Sequence, residues 1–187
     1  MIWRNLPLLL LALVLSGTMA YFTGDVRTRN VITTRNVAIE VLEFRDTAMQ
    51  ERYPSEPVPM NPGQRVTKVA VVQNAGDVES WVRVKVESSV KLADGTDGDA
   101  SFINIHYIAD GWLKDGDYYY HKTPLPAGAV TGMIFDEVSF PTNLSSAVQG
   151  GMAYVTVSAQ AVQVKNNNPV SQLTTHDDVA QINGWPS

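Results

Sequence analysis

The chain contains no cysteine, so no disulfide framework and no thiol chemistry are open to it; packing, hydrogen bonds or association with other subunits must hold it together. It is also short of positive charge. Fourteen Lys and Arg stand against 19 Asp and Glu among 187 residues, which excludes the basic surface that nucleic acid or anionic lipid requires. The three histidines, His106, His121 and His176, are far apart, and none belongs to the His-Glu-x-x-His pattern of a helical zinc site. A Gly-x-Ser-x-Gly nucleophile elbow and a Gly-x-x-x-x-Gly-Lys phosphate loop are likewise missing. No spacing of carboxylates selects a glycosidase acid pair. These absences lead to the expectation of a protein that is not an enzyme and carries no resident cofactor.

Long hydrophobic runs are scarce too, and the one that exists stands at the start. Arg4 precedes the apolar stretch 6–15, which exits through Ser16-Gly17-Thr18-Met19-Ala20. About ten residues of helix measure ~15 Å, half of a ~30 Å hydrocarbon core, so the run suits the apolar helix of a signal peptide better than a permanent span. Thr18 and Ala20 supply the small side chains a signal peptidase needs three and one residues before its cut, leaving Tyr21 as the first mature residue. An uncleaved membrane anchor is the alternative. Residues 1–20 carry one base and no acid, so the remaining 167 residues have a formal net charge of -6 and a size normal for one domain.

What is abundant is the period of two. Residues 81–92 place Val82, Val84, Val86, Val90 and Leu92 on one face and Arg83, Lys85, Glu87, Ser89 and Lys91 on the other, as a half-buried strand requires. Residues 153–164 repeat the pattern with small side chains: Ala153, Val155, Val157, Ala159 and Ala161 oppose Thr156, Ser158 and Gln160. Residues 37–44 and 65–73 are β-rich and apolar on both faces in places, which predicts strands covered on both sides. Further strands are expected over 102–108, 116–121 and 130–140. Asn61-Pro62-Gly63, Asn74-Ala75-Gly76-Asp77, Asp94-Gly95, Asp110-Gly111, Asp115-Gly116 and Pro126-Ala127-Gly128 supply the turns between them. The expected fold is therefore all-β, an antiparallel β-sandwich or jelly roll. Only 47–52 and 143–149 have the composition for a short helix. The polar tail 166–187 reads as loop plus a late packing element anchored by Trp185.

Two groups of residues are candidates for binding. Asp94, Asp97 and Asp99, within Asp94-Gly95-Thr96-Asp97-Gly98-Asp99, offer carboxylate oxygens on a glycine-bearing loop, the kind of site that takes calcium. They lack the register of an EF-hand, and the alternative is a solvated hairpin loop after the 81–92 strand. Trp112 with Tyr118, Tyr119 and Tyr120 would make a surface for stacking a glycan or gripping a partner; against this stands the packing of alternate rings into the core.

Gly17-Thr18-Met19-Ala20-Tyr21-Phe22 resembles the signal exit of the TasA/camelysin-like family, exported biofilm-matrix fibre proteins with an alternate, SipW-type signal peptide. Pro62-Gly63-Gln64, Asn74-Ala75-Gly76, the segment 112–120, Pro124-Leu125, Pro126-Ala127-Gly128, the strand around Gln160 and Gln163, and Trp185 are similar to further elements of that family, so the resemblance extends over most of the chain. Gly24 and Gln64 stand where the family usually has acidic residues.

The resemblance implies a secreted jelly-roll subunit of extracellular or cell-surface fibres. It also implies assembly by donor-strand exchange, in which the N-terminal segment of one copy completes a sheet of the next. Here that segment is 21–33, with Phe22, Val26, Val31 and Ile32 as apolar anchors, followed by a jelly-roll domain over 34–187 that includes the polar tail. The expected partners are further copies of the chain in a head-to-tail homopolymer, the signal peptidase, and an anchoring or accessory subunit, with no permanent membrane span after cleavage. A monomeric surface module that grips a glycan or partner is the competing expectation.

Overall fold

Alternation of apolar and polar residues builds the two longest strands, and these pair with one another. The computed structural model describes residues 22–24, 28–29, 37–54, 58–60, 62–108, 110–148, 150–165, 167 and 170–185. Its strands are β1 (Phe22–Gly24), β2 (Thr28–Arg29), β3 (Ile39–Phe44), β4 (Val58–Met60), β5 (Arg65–Asn74), β6 (Ser80–Lys91), β7 (Asp97–Gly98), β8 (Asn104–Tyr107), β9 (Trp112–Asp115), β10 (Tyr118–His121), β11 (Phe135–Ser139) and β12 (Met152–Gln163); one helix, α1, spans His176–Ala180. The architecture is all-β and sandwich-like, as expected. The larger sheet runs β4-β1-β12-β6-β10-β9, with β2 on β12 and β7 on β6, and the smaller runs β3-β5-β11-β8.

The core lies between the sheets. β6 contributes Val82, Val84 and Val90, β12 its whole alternate series from Ala153 to Ala161, and the smaller sheet answers with Ile39, Val41, Ala70, Val72, Phe135 and Val138. Each fully buried valine is worth roughly 1.5 kcal/mol or more in transfer free energy, so this interface is the main source of stability. β3 and β5 are apolar on both faces for a visible reason. Their other face forms a second cluster of Leu42, Phe44, Val69 and Val71 with Met133 against it. The outer face of the larger sheet is covered as well. There Trp81, Tyr120, Val162 and Val164 meet Leu173, Val179 and Ile182 of the C-terminal tail.

Several local expectations are corrected. Residues 47–52 do not form a helix: the Asp46 carboxylate accepts the Gln50 and Glu51 amides, and Met49 takes a positive φ of 56°, closing a tight loop instead. Within 143–149 the only regular piece is the single 3-10 turn Ser146–Val148. The tail does hold a packing element, with Trp185 against the cluster on the outer face of the larger sheet, and part of it is a helix that was not expected. Thr175 and Asp178 form a capping box that starts α1, a Thr-x-x-Asp signal readable in the sequence and overlooked there. Among the described residues no helix is long and apolar enough to cross a membrane.

Candidate assembly site beside β12

β12 is the strand of the larger sheet on which the N-terminal strands seat. Gly151 opens it, because a Cβ there would come within 2.7 Å of the Lys91 carbonyl; only glycine lets the chain enter so close to β6. From Met152 to Gln163 every residue then pairs antiparallel with β6 in unbroken register, Lys91 to Ser80. One side of β12 is thereby fully used. Its inward row, Ala153, Val155, Val157, Ala159 and Ala161, is buried in the core and mostly small.

The other side of β12 receives the N-terminal segment. β1 runs parallel to it with Thr23 opposite Met152 and Gly24 opposite Ala153. β2 follows with Thr28 opposite Val157 and Arg29 opposite Ser158. The offset is the same in all four pairs, so both strands follow a single register along β12. These are the parallel pairings in an otherwise antiparallel sheet, and they join segments more than a hundred residues apart in the chain. Across the sandwich, β3 approaches both β2 and β12, so the lane borders the seam between the two sheets.

β1 is flanked outside by β4, with Pro59 opposite Thr23. Proline lacks an amide donor, and a short proline-bearing strand is a common way of blunting a sheet edge. β4 was not anticipated from the sequence, although prolines at 54, 57, 59 and 62 are the edge signal that would have suggested it.

The expected site residues separate into groups. Phe22 falls in β1, as a donor segment requires. Thr18, Ala20, Tyr21, Val26, Val31 and Ile32 lie outside the described residues. Trp112 and the tyrosines do not form one exposed platform, which corrects the binding surface expected of them. Trp112 is 4% exposed in the main core, its indole N–H directed to the Gly132 carbonyl at 3.4 Å. Tyr120 is 5% exposed beneath the tail, with its ring 5.7 Å from that of Trp185. Tyr119 points between the sheets and stacks on Tyr107 at 4.8 Å, where burial pushes the Tyr107 phenol up to about 12. Strand alternation divides the run: its members cannot all face one ligand.

Asp94, Asp97 and Asp99 occupy a hairpin loop. The strands β6 and β7 pair Lys91 with Asp97, and each carboxylate is engaged locally: Asp94 accepts from the amide and hydroxyl of Thr96, Asp97 pairs with Lys91, and Asp99 accepts from Ser101. Hydrogen bonds from Thr96 hold the Asp94 carboxyl below its ordinary value, and those from Ser101 do the same for Asp99. The three oxygens do not converge, and among the described residues no group of His, Asp and Glu is placed to hold a metal.

Side-chain constellations that sequence reading missed lie elsewhere. Lys68, 1% exposed, sits 3.1 Å from Glu43 and under the Tyr53 ring at 3.6 Å. Burial first, and the Glu43 charge second, push the Tyr53 phenol up to about 12. Arg83 donates to Gln160 at 2.7 Å while its guanidinium lies 4.0 Å from the Tyr118 ring and 4.6 Å from that of Trp185. His106 and Asp136 meet at 2.6 Å on the smaller sheet. All three join strands remote in sequence, so no local pattern announces them. No protein-family model, no curated protein and no solved structure matches the chain.

Proposed function

We propose that the protein is an exported, non-enzymatic structural subunit that polymerises head to tail, the mature N-terminal segment of one copy filling the lane beside β12 of the next. The observation that carries the proposal is the single-register parallel pairing of β1 and β2 with β12. Withdrawing a terminal segment leaves the order β12-β6-β10-β9 intact and releases only the short β4, which pairs with β1. Exchanging it between copies conserves main-chain hydrogen bonds, and an exchange of this kind need not close into a ring. The signal-like first twenty residues supply both the export route and a processed end at Tyr21. In this reading the sandwich is a jelly-roll protomer of an extracellular or cell-surface fibre, as the resemblance to TasA/camelysin-like proteins implies, and its partners are other copies of the chain and an anchoring or accessory subunit.

A second reading has its own support. With β1 and β2 seated on their own β12, the chain is self-complemented, which suits a monomeric surface module. One experiment separates the two. The chain lacks cysteine, so Arg29→Cys with Ser158→Cys creates a lone pair of thiols on register partners, at a Cα separation that a disulfide accepts. Oxidised under assembling conditions, a donor-strand polymer yields a ladder of covalent oligomers on a denaturing gel. A cross-linked monomer alone, at every concentration, would reject exchange and leave the self-complemented module.

A further inference from the structure

A pocket of about 310 Å³ opens on the outer face of the smaller sheet, lined by Thr47, Arg65, Thr67, His106, Asp136 and Glu137. Its construction follows from strand register. Thr67, Glu137 and His106 form one row across β5, β11 and β8, and the neighbouring row of Val66, Val138 and Ile105 packs into the core. Between Phe135 and Glu137 the register shifts, so that β11 carries one residue more than β8. Phe135 and Val138 both remain in the core, and the two residues between them, Asp136 and Glu137, both line the pocket. A bulge therefore places two carboxylates on a face where regular alternation would place one. The tight loop after β3 contributes Thr47 to the rim.

The lining is held by its own contacts. Asp136 Oδ1 meets His106 Nδ1 at 2.6 Å, and Arg65 donates to Glu137 Oε1 at 3.1 Å. With Nδ1 turned to the carboxylate, the imidazole leaves Nε2 to bond a ligand. Arg65 retains further N–H donors, both carboxylates retain lone pairs, and two threonine hydroxyls serve either way. Donors and acceptors are thus dense and mixed, with the Arg65 charge offsetting that of Glu137. An anion would meet two carboxylates. A cation would meet the guanidinium, and the acidic groups do not converge on a metal position among the described residues. The complementary ligand is uncharged and rich in hydroxyl groups.

We propose that this pocket binds one residue of a neutral saccharide, whose hydroxyls accept from Arg65, donate to the Asp136 and Glu137 carboxylates, and bond His106 and the two threonines. Among the described residues no Phe, Tyr or Trp lines the pocket, so binding lacks their stacking contribution and falls in the millimolar range for a free sugar. The site is distinct from the lane beside β12 and does not depend on polymerisation.

The test is a titration of the isotope-labelled mature chain, monitored by amide chemical shifts, with glucose, galactose and N-acetylglucosamine to ~50 mM, and with glycerol, sodium sulfate and calcium chloride as controls. The proposal expects saturable shifts for at least one sugar, centred on Thr67, His106, Asp136 and Glu137. It also expects at least about tenfold weaker binding in Asp136→Asn and in Arg65→Ala, both of whose spectra report folding directly. Lys114→Ala, on the other sheet, should bind as the parent does. The absence of saturable shifts, equal shifts with glycerol, shifts with sulfate or calcium in place of sugar, or sugar shifts that survive both variants would each overturn the proposal.

Discussion

Asn74 shows how one side chain can tie a fold together. It is fully buried at the end of β5, where its amide nitrogen donates to the carbonyls of Val78 and Leu125 at 2.8 and 2.9 Å and its oxygen accepts from Gly76. Its backbone is engaged too, donating to Ala129 and accepting from Gly128, whose positive φ of 75° closes the Pro126-Ala127-Gly128 turn. The Asn-Ala-Gly and Pro-Ala-Gly motifs, fifty residues apart, are thus two halves of one hydrogen-bonded junction. Removing the side-chain amide loses three hydrogen bonds at about 0.5 to 1.5 kcal/mol each, while the Val78 and Leu125 carbonyls keep second donors in the hydroxyl and the amide of Ser80. Asn74→Ala should therefore lose roughly 2 to 4 kcal/mol of stability, read as a lower urea midpoint with an unchanged slope. A loss below about 0.5 kcal/mol would show that water replaces the donor.

At the scale of elements, α1 is too short to persist alone and depends on its cap and on docking. Thr175 and Asp178 cap it, with Asp178 held below its ordinary carboxyl value chiefly by its hydrogen bonds to Thr174. Its first residue, His176, bonds Asp115 of β9 at 2.8 Å and is raised above its ordinary value by that bond and then by the charge of Asp115, with Asp177 adding to the effect. A raised histidine stabilises the folded state fully below its unfolded pKa and loses that contribution as pH rises through the folded value. The parent should accordingly exceed Asp115→Asn in melting temperature at a pH of about 5.5, and the gap should close by a pH of about 8.5. An equal gap at both values would mean that the bond acts without the imidazolium. His121 runs the other way: burial lowers it, so it contributes above its ordinary value and that contribution fades as pH falls.

The elements also differ in how far the sequence revealed them. The alternation in β6 and β12 was plain because one face meets the core and the other is mostly polar, the case in which period two is strongest. β3 and β5 were legible as strands covered on both faces, but the segments that cover them were not. β4 and the loop that replaced a helix over 47–52 escaped notice because proline edges and the Asp46 cap act through one or two residues instead of a repeating pattern. In the candidate assembly site, Phe22 and the small residues of β12 were visible in the sequence. That they meet in a parallel register was not, because strand order depends on contacts across the whole chain.

For the molecule as a whole, the N-terminal segment and the sandwich form a complementary pair. Deleting residues 21–33 should abolish the filaments proposed above and lower the melting temperature, because the edge of β12 away from β6 loses its hydrogen-bonded neighbour. A synthetic peptide of the same sequence, supplied at about a hundred times its dissociation constant, should restore about 2.7 kcal/mol in a melting experiment. Filaments that persist without the segment, or a domain indifferent to the peptide, would refute the lane as the assembly site.

Composition and short-range periodicity were enough for the all-β class, the two longest strands and the lack of thiol chemistry, since each rests on residue counts or on a period carried by neighbouring residues. Tertiary structure alone decided that Trp112 is core, that the three tyrosines divide between two faces, that the tail covers the larger sheet, and that β1 and β2 lie on β12. It also brought His106 beside Asp136 and Lys68 beside Glu43. The physical reason is common to all of these: an alternating pattern says which face of a strand is buried, but the partner that buries it is chosen by packing among segments remote in the chain.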